Sequence, residues 1–453
     1  MSEFSGKNVV VMGLGRFGGG VGVSRWLCAQ GAHVTVTDQA AADQLTSSLQ
    51  QLAGLPIEFD LGAHRENILE SCDLLIVNPA VDKNTSDFYR AAMNRGVPIA
   101  TEINLFLQRC PAKVIGITGS VGKSTTTAMI HLALSAALEQ SGGGRAWLGG
   151  NIGKSLLENL SRIEPKDLVV LELSSFMLED TPLISFSPHV AVVTNLSGNH
   201  LDRHGDFASY AAAKQNILRF QKPDDIAILN ADDPVVSKWN SLAQGKVVFY
   251  DGAGKTPLPL RVPGLHNQSN AQAALSVVET LGFKNQLAAV LAALSNFDGL
   301  PHRLQLVHTE MADGKTVRWF NDSKATTPEA AITALRAFEP RTFISIVGGY
   351  DKHADMSALV RLLAERAGGV LGIGATGQAL VDAVATTRQL PADRTVYAET
   401  LPNAVSIARQ WVMADKNSLD TILLSPACAS WGQFVNYEQR GELFTSLARN
   451  NNV

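Results

Sequence analysis

KVIGITGSVGKSTTT, residues 113–127, reads as a buried strand, a glycine turn and the opening of a helix. Val114, Ile115 and Ile117 suit a strand interior, and Gly116, Gly119 and Gly122 allow backbone N–H groups to turn inward. Lys123 and Ser124 follow, a cation that can reach outer phosphates and a hydroxyl suited to Mg2+. A nucleoside triphosphate is the expected guest. The spacing departs from the ordinary phosphate loop, because Ile117 stands five positions before Gly122 and the glycine falls one earlier, at Gly116.

Working outward, 453 residues exceed what one core usually holds, so two or three domains are expected. Hydrophobic residues make up 45% and charged residues 18%, which suffices for those cores. The net charge of −4 comes with no basic run, which favours small-molecule partners over nucleic acid or an anionic membrane. Cys28, Cys72, Cys110 and Cys428 form no CxxC pair and read as reduced thiols of a cytosolic protein. The polar N-terminus passes directly into a strand, and no apolar segment is long enough to span a bilayer. A soluble cytoplasmic protein, monomeric, is the expectation.

Toward the N-terminus, VVVMGLGRFGGGVGVSRWLCAQGAHVTVTD gives strand, glycine turn, helix and a second strand ending at Asp38. Gly13, Gly15 and Gly18 form GxGxxG, and Asp38 stands where a dinucleotide fold places its ribose-binding acid. Units that hold UDP groups use the same glycines, so NAD and UDP remain equal readings of this turn taken alone. Gly19, Gly20 and Gly22 exceed the motif and should weaken the start of the helix. Leu74–Val77 ends in Asn78-Pro79-Ala80, on the side where open α/β sheets bind ligands. A first domain of residues 1–108 is expected.

Toward the C-terminus, Leu168–Leu171 is a buried strand ending at Glu172, an acid placed for a Mg2+ ligand or its water partner. A third strand, Val190–Thr194, leads to a loop carrying His200, Asp202 and His204, read as a site, and then to a helix bearing Lys214. GLHNQSN places His266, Asn267 and Asn270 in early helical turns that could face a nucleotide. GLPHRLQLV marks a second boundary, giving domains 109–301 and 302–453. The last segment repeats the α/β pattern, with strands at Arg318–Phe320, Phe343–Val347, Val370–Ile373 and Ile422–Leu424, without a complete GxGxxG. The fold class expected is α/β: Rossmann-like, then phosphate-loop, then Rossmann-like.

ITGSVGKSTTT, LGGNIG, ELSSF, TNLSGNHLDRHG with YAAAK, GLHNQSN, GLPHR, NDSKAT, GGYDKHADM and SPACASWGQFVNYEQRGELF stand in the order seen in the Mur ligases. The chain resembles that family over essentially its whole length, and its last four motifs resemble the glutamate-adding branch. The displaced glycine fits too, because the family's loop has the form TGxxGK[ST].

This resemblance implies ATP-dependent amide formation, joining D-glutamate to the alanine carboxylate of a UDP-muramoyl substrate through an acyl phosphate in peptidoglycan precursor synthesis. It implies ATP with two Mg2+ sites, held by Ser124, Glu172, His200 and Lys214, the last carbamylated. Gly119, Gly122, Lys123, Ser124, Thr125, Asn267, Asn270, Arg303, Asp322 and Lys324 become ATP contacts, and closure of the third domain onto ATP would complete the site. Asn151 and His200 should line the acyl-phosphate position. Gly15, Arg16, Phe17, Asp38 and Asn78 should hold the UDP group, and Thr326, Lys352, Ser430 and Tyr437 the D-glutamate. Two positions depart from the family, which usually has Asn at Val121 and an acid at Asn199. Val121 lacks an amide that could support the phosphate turn. The rival readings are a related amide ligase, a nucleotide-holding regulator and a dehydrogenase.

Overall fold

Three sheets follow one another along the chain in a computed structural model that describes residues 2–450, apart from 16–17, 253–256, 313 and 416–417. The first contains β1 (Asn8–Met12), β2 (His33–Asp38), β3 (Ile57–Leu61), β4 (Leu74–Val77) and β5 (Ile99–Ala100), ordered β3-β2-β1-β4-β5 and parallel throughout. The second contains β6 (Lys113–Thr118), β7 (Ala146–Gly150), β8 (Leu168–Glu172), β9 (Val190–Val193), β10 (Ile226–Asn230) and β11 (Lys246–Tyr250). Its order is β11-β10-β9-β6-β8-β7, again all parallel. Continuous apolar strands such as VAVV in β9 are buried on both faces, as parallel sheets covered by helices require.

In the first sheet β1 lies between β2 and β4; in the second β6 lies between β8 and β9. The chain reverses direction across the sheet at these two strands, which opens a crevice at each of their carboxyl ends. A glycine turn follows both strands. Both turns are segments that the sequence marks as candidate ligand sites.

These two sheets belong to one compact unit, Met1–Lys255 with Ser269–Ala293. One apolar cluster runs through it from Val9 and Leu27 to Val169 and Ala191, and a second, around Val10, Leu75 and Phe88, packs on the first sheet. The helix Gly19–Ala29 approaches the second sheet's connections so closely that a Cβ on Gly22 would lie 2.5 Å from the Cβ of Ser155. A Cβ on Gly20 would lie 2.4 Å from the Leu14 carbonyl oxygen. The surplus glycines at 20 and 22 are therefore close-approach positions, which accounts for residues that weaken the helix. The Ser155 hydroxyl donates to Glu102, Asn104 Nδ2 donates to the Asp180 carbonyl at 2.7 Å, and Lys83 pairs with Asp180.

The second unit, Thr256–Gln268 with Leu294–Val453, holds β12 (Gln305–Ala312), β13 (Lys315–Asn321), β14 (Phe343–Val347), β15 (Gly369–Ile373), β16 (Thr395–Glu399) and β17 (Thr421–Leu424). The order is β12-β13-β17-β14-β15-β16, with only β12 antiparallel. The sequence reading placed a domain boundary across the start of β12 and did not see the strand. Its QLVHTEMA pattern covers one edge, where a single β-hairpin partner replaces the two-sided burial that makes central strands legible.

Candidate active site

The turn after β6 is shaped by two glycines that tolerate no side chain. Gly119 has φ 154°, and a Cβ there would lie 2.0 Å from Thr194 Oγ1. Gly122, with φ 83°, caps the helix Lys123–Ser141, and its Cβ would meet Asn270 Oδ1 at 3.0 Å. The Thr126 hydroxyl donates to that same oxygen at 2.9 Å, so Asn270 is held against the turn. Lys123 folds back over the turn, donating from Nζ to the Ser120 carbonyl at 3.0 Å. Ser124 and Thr125 are half-buried in the first helical turn, where the helix dipole favours an anion.

Val121 is 60% exposed, and the turn does not depend on its side chain. Asn195, just beyond β9, accepts the Val121 N–H at 2.9 Å through Oδ1 and donates Nδ2 to the Val121 carbonyl at 2.8 Å. Thr194 adds a hydroxyl bond to that carbonyl at 3.1 Å. The amide missing at 121 is thus supplied from across the sheet. Sequence reading missed Asn195; a polar residue directly after a buried strand, on the ligand side of the sheet, was the available signal.

Glu172 ends β8 and is 1% exposed. Its Oε1 accepts from Asn151 Nδ2 at 2.8 Å, while Oε2 is buried with no hydrogen-bond partner among the described residues. Lys214, also 1% exposed, extends from the helix Phe207–Arg219 and donates to Thr118 Oγ1 at 3.2 Å. Thr118 in turn donates to the Leu173 carbonyl at 2.8 Å, which orients its lone pairs for the lysine. Burial, and then the charge of Lys123, push the Lys214 pKa down from 10.5 to about 7, against the opposing pull of Glu172. Near neutral pH, much of this amine is uncharged and nucleophilic.

The three groups of the His200 loop separate, and Asp202 is exposed in the first turn of the short helix that follows His200. His200 has φ 54° at the head of the short helix Leu201–His204, is exposed, and has its pKa lowered by desolvation and then by Lys123. His204 is committed elsewhere: its ring nitrogens lie 2.9 Å from Ser175 Oγ and 2.9 Å from Glu179 Oε1, and it stacks on Phe176. Among the described residues, no three His, Cys, Asp or Glu side chains form a metal-binding group. The bare, buried Glu172 oxygen nevertheless fits a hard cation that takes most of its ligands from phosphate and water.

At the first sheet, Asp38 is drawn into the glycine turn. Its Oδ2 accepts from the N–H groups of Leu14 at 2.8 Å and Gly15 at 3.3 Å, and its Oδ1 from Ala40 at 2.9 Å. Asn78 bridges the turn to β4, donating to the Gly13 carbonyl at 3.1 Å and accepting from Ala80 at 2.9 Å. Arg16 and Phe17, expected UDP contacts, lie outside the described residues.

In the second unit, Asp322 directly follows β13, Lys324 and Thr326 lie in the segment after it, and Ser430 lies in the loop between β17 and the last helix. Asp322 is buried, accepting from Ser425 Oγ at 2.8 Å and Leu304 N–H at 3.1 Å, and burial pushes its pKa up to about 7 despite these bonds and Arg303. Lys324 Nζ lies 5.5 Å from the Tyr437 ring centroid, and Lys352 Nζ lies 4.8 Å from that of Trp431. Tyr437 begins the last helix, its carbonyl accepting from the Ser323 hydroxyl at 2.8 Å. Asn267 belongs to this unit and donates to the Pro263 carbonyl at 2.7 Å, whereas Asn270 belongs to the first. Arg440, which sequence reading passed over, is fully buried and donates to Ser323 and the Cys428 carbonyl.

A glycine turn backed by a buried lysine and acid, in a chain whose flanking segments form Rossmann-like sheets, fits a nucleotide-dependent ligase. Family models agree: Mur ligase MurD-like, N-terminal domain over residues 7–101, Mur ligase middle domain over 117–256, and Mur ligase, glutamate ligase domain over 302–428. The chain belongs to the Mur ligase family. It is 37% identical to the UDP-N-acetylmuramoylalanine–D-glutamate ligase of Symbiobacterium thermophilum, covering 94% of this chain and 96% of that one. It is 36% identical to the ligase of the same name from Roseiflexus sp., covering 98% and 99%. Among solved structures, the UDP-N-acetylmuramate–alanine ligase of Thermotoga maritima shares the fold with a TM-score of 0.58 at 22% identity, covering 97% of this chain and 99% of that one.

Proposed function

We infer that this protein is an ATP-dependent ligase that adds D-glutamate to UDP-N-acetylmuramoyl-L-alanine, a step of peptidoglycan precursor synthesis. The relatives named above carry that activity in their names and align with nearly the whole chain. The observation that carries the chemistry is the convergence of Lys123, Glu172 and Lys214 at the carboxyl ends of the second sheet. No helix of the described residues is long and apolar enough to cross a membrane. The functional division we propose is 1–108 for the UDP substrate, 109–301 for ATP and 302–453 for the amino acid.

A carboxylate is a poor electrophile, so its oxygen first attacks the γ-phosphorus of ATP, releasing ADP and leaving an acyl phosphate. The D-glutamate amine then forms the C–N bond, loses a proton, and inorganic phosphate departs with the broken C–O bond. Two anions must meet in the first step, so fixed positive charge at the phosphate turn does much of the work. Lys123 and the helix N-terminus, with Gly119, Gly122, Ser124, Thr125 and Asn270, would hold the triphosphate. Asn151 and His200 would border the acyl group. Asn267, Arg303, Asp322 and Lys324 complete the proposed nucleotide contacts. Thr326, Lys352, Ser430 and Tyr437 would bind D-glutamate, and Gly15, Asp38 and Asn78 the UDP group.

Mg2+ would be held by Ser124, Glu172, His200 and Lys214, and it supplies neutralisation of phosphate charge when bound. Lys214 fits this set if its neutral amine adds CO2, forming a C–N bond and releasing a proton, which turns a buried cation into a carboxylate ligand. Burial favours the neutral amine that this addition requires.

The test is phosphate release from ATP with UDP-N-acetylmuramoyl-L-alanine present, comparing D-glutamate with L-glutamate, L-lysine and no amino acid. Release only with D-glutamate is expected. Equal release without it would sink the ligase assignment.

A further inference from the structure

Arg203 sits in the short helix that His200 heads, and its guanidinium reaches the segment after β4 of the first sheet. Its Nη1 donates to the Ala80 carbonyl at 3.1 Å and its Nη2 to the Val81 carbonyl at 3.1 Å, while Nε stands 3.9 Å from Asp82 Oδ2. Those carbonyls directly follow Asn78-Pro79 at the end of β4. Asn78 is in turn bonded to Gly13 of the first glycine turn. A continuous run of bonded groups thus joins the turn after β1 to the His200 loop.

The other face of the guanidinium is equally constrained. Its Cζ lies 4.9 Å from the Phe176 ring centroid, and the same ring touches His200 at 5.2 Å and stacks on His204 at 5.1 Å between centroids. His204 is anchored by Ser175 and Glu179. The planar guanidinium spans two successive carbonyls while resting on an aromatic face, a task that a point-charged ammonium cannot reproduce.

We propose that Arg203 is a positioning residue that sets the separation between the first glycine turn and His200, and so the span across which one elongated substrate must reach. This inference rests on the ligase reading: the nucleotide end of that substrate would occupy the first turn, and its reacting carboxylate would lie near His200. Arg203 touches neither end. Its effect should appear in the rate of the chemical step, because misplacing a reacting group by about 1 Å costs on the order of a hundredfold.

The experiment compares wild type, Arg203→Ala and Arg203→Lys by steady-state kinetics, calorimetric binding of free UDP, and thermal melting. The expected result for Arg203→Ala is a fall in kcat of about ten- to a hundredfold, with the ATP KM and the UDP Kd within about twofold of wild type, differences near the scale of RT. Arg203→Lys should melt like wild type and recover little of kcat. A kcat for Arg203→Ala within twofold of wild type would overturn the proposal. So would full recovery by Arg203→Lys, or a kcat loss matched by equal losses of UDP affinity and melting temperature. Should the alanine variant fail to fold, the lysine variant alone decides between the first two outcomes. A wild type without D-glutamate-dependent phosphate release would instead remove the ligase reading, a result distinct from any of these.

Discussion

The two glycine turns of the first unit end in the same helix cap and carry opposite chemistry. Gly18 caps its helix at φ 88° and ψ −13°, and Gly122 caps the other at φ 83° and ψ −11°. After β1, however, a carboxylate already accepts the N–H groups of Leu14 and Gly15. After β6 the turn is propped by the neutral amide of Asn195, and the nearby charged groups include Lys123 and Lys214. With Asp38 accepting the Leu14 and Gly15 N–H groups, this turn offers a diphosphate fewer backbone donors than the turn after β6, and its GxGxxG does not by itself separate a dinucleotide from UDP. The two caps share a conformation, and the side chains around them differ.

The largest expected effect tests the buried lysine on one side of this comparison. Lys214→Met should lower turnover by about a hundred- to a thousandfold, as expected when a proposed ligand of the cation that neutralises phosphate charge is lost. Its stability effect has the opposite sign. The folded-state pKa of Lys214 is depressed to about 7 from 10.5, so between those values the unfolded chain holds the extra proton and stability climbs with pH. Below that window the cost of burying the ammonium is felt in full. In CO2-free buffer, Lys214→Met should therefore melt above wild type near pH 6, with the gap closing toward about pH 9. A wild type as stable at the lower pH as its Met variant would show that the ammonium is better solvated than the structure indicates.

Next in size is an exchange between the two turns. Asp38→Ala should raise the KM for the UDP substrate about tenfold and spare that for ATP, the loss of charge-assisted bonds amounting to about 1.5–3 kcal/mol. Asn195→Ala should do the converse. If both variants raised the same KM, the turns would not serve separate ligands and the comparison would fail. The smallest effect belongs to Val121→Asn, which should leave the ATP KM unchanged or lower it slightly, because Asn195 already holds both polar groups of that peptide. A tenfold rise would mean that the exposed valine contributes a contact of its own.

The strand, turn and helix at residues 113–127 were legible because each residue type there carries its own local physics: apolar burial, positive φ, charge. The same holds for Leu74–Val77 and for the helix that bears Lys214. Three kinds of feature were not legible. The edge strand β12 lacks burial on both faces, so its pattern is diluted. Asn195 and Arg203 act through partners 74 and 122 or more residues away, and nothing local marks an asparagine or arginine for such a role. His200 and His204 are alike in sequence, and only the pocket formed by Phe176, Ser175 and Glu179 separates a structural imidazole from an exposed one.

The contact of Gly22 with Ser155 also constrains how this sequence can drift. A methyl group at position 22 would collide with the serine, and shrinking the serine to glycine to make room would deprive Glu102 of its hydroxyl donor. Burial already raises the pKa of that carboxyl, so losing the donor would leave it poorer still. Each single step is penalised, and only a concerted change at 22, 155 and 102 escapes. Positions 22, 155 and 102 should therefore vary together or not at all among descendants of this chain.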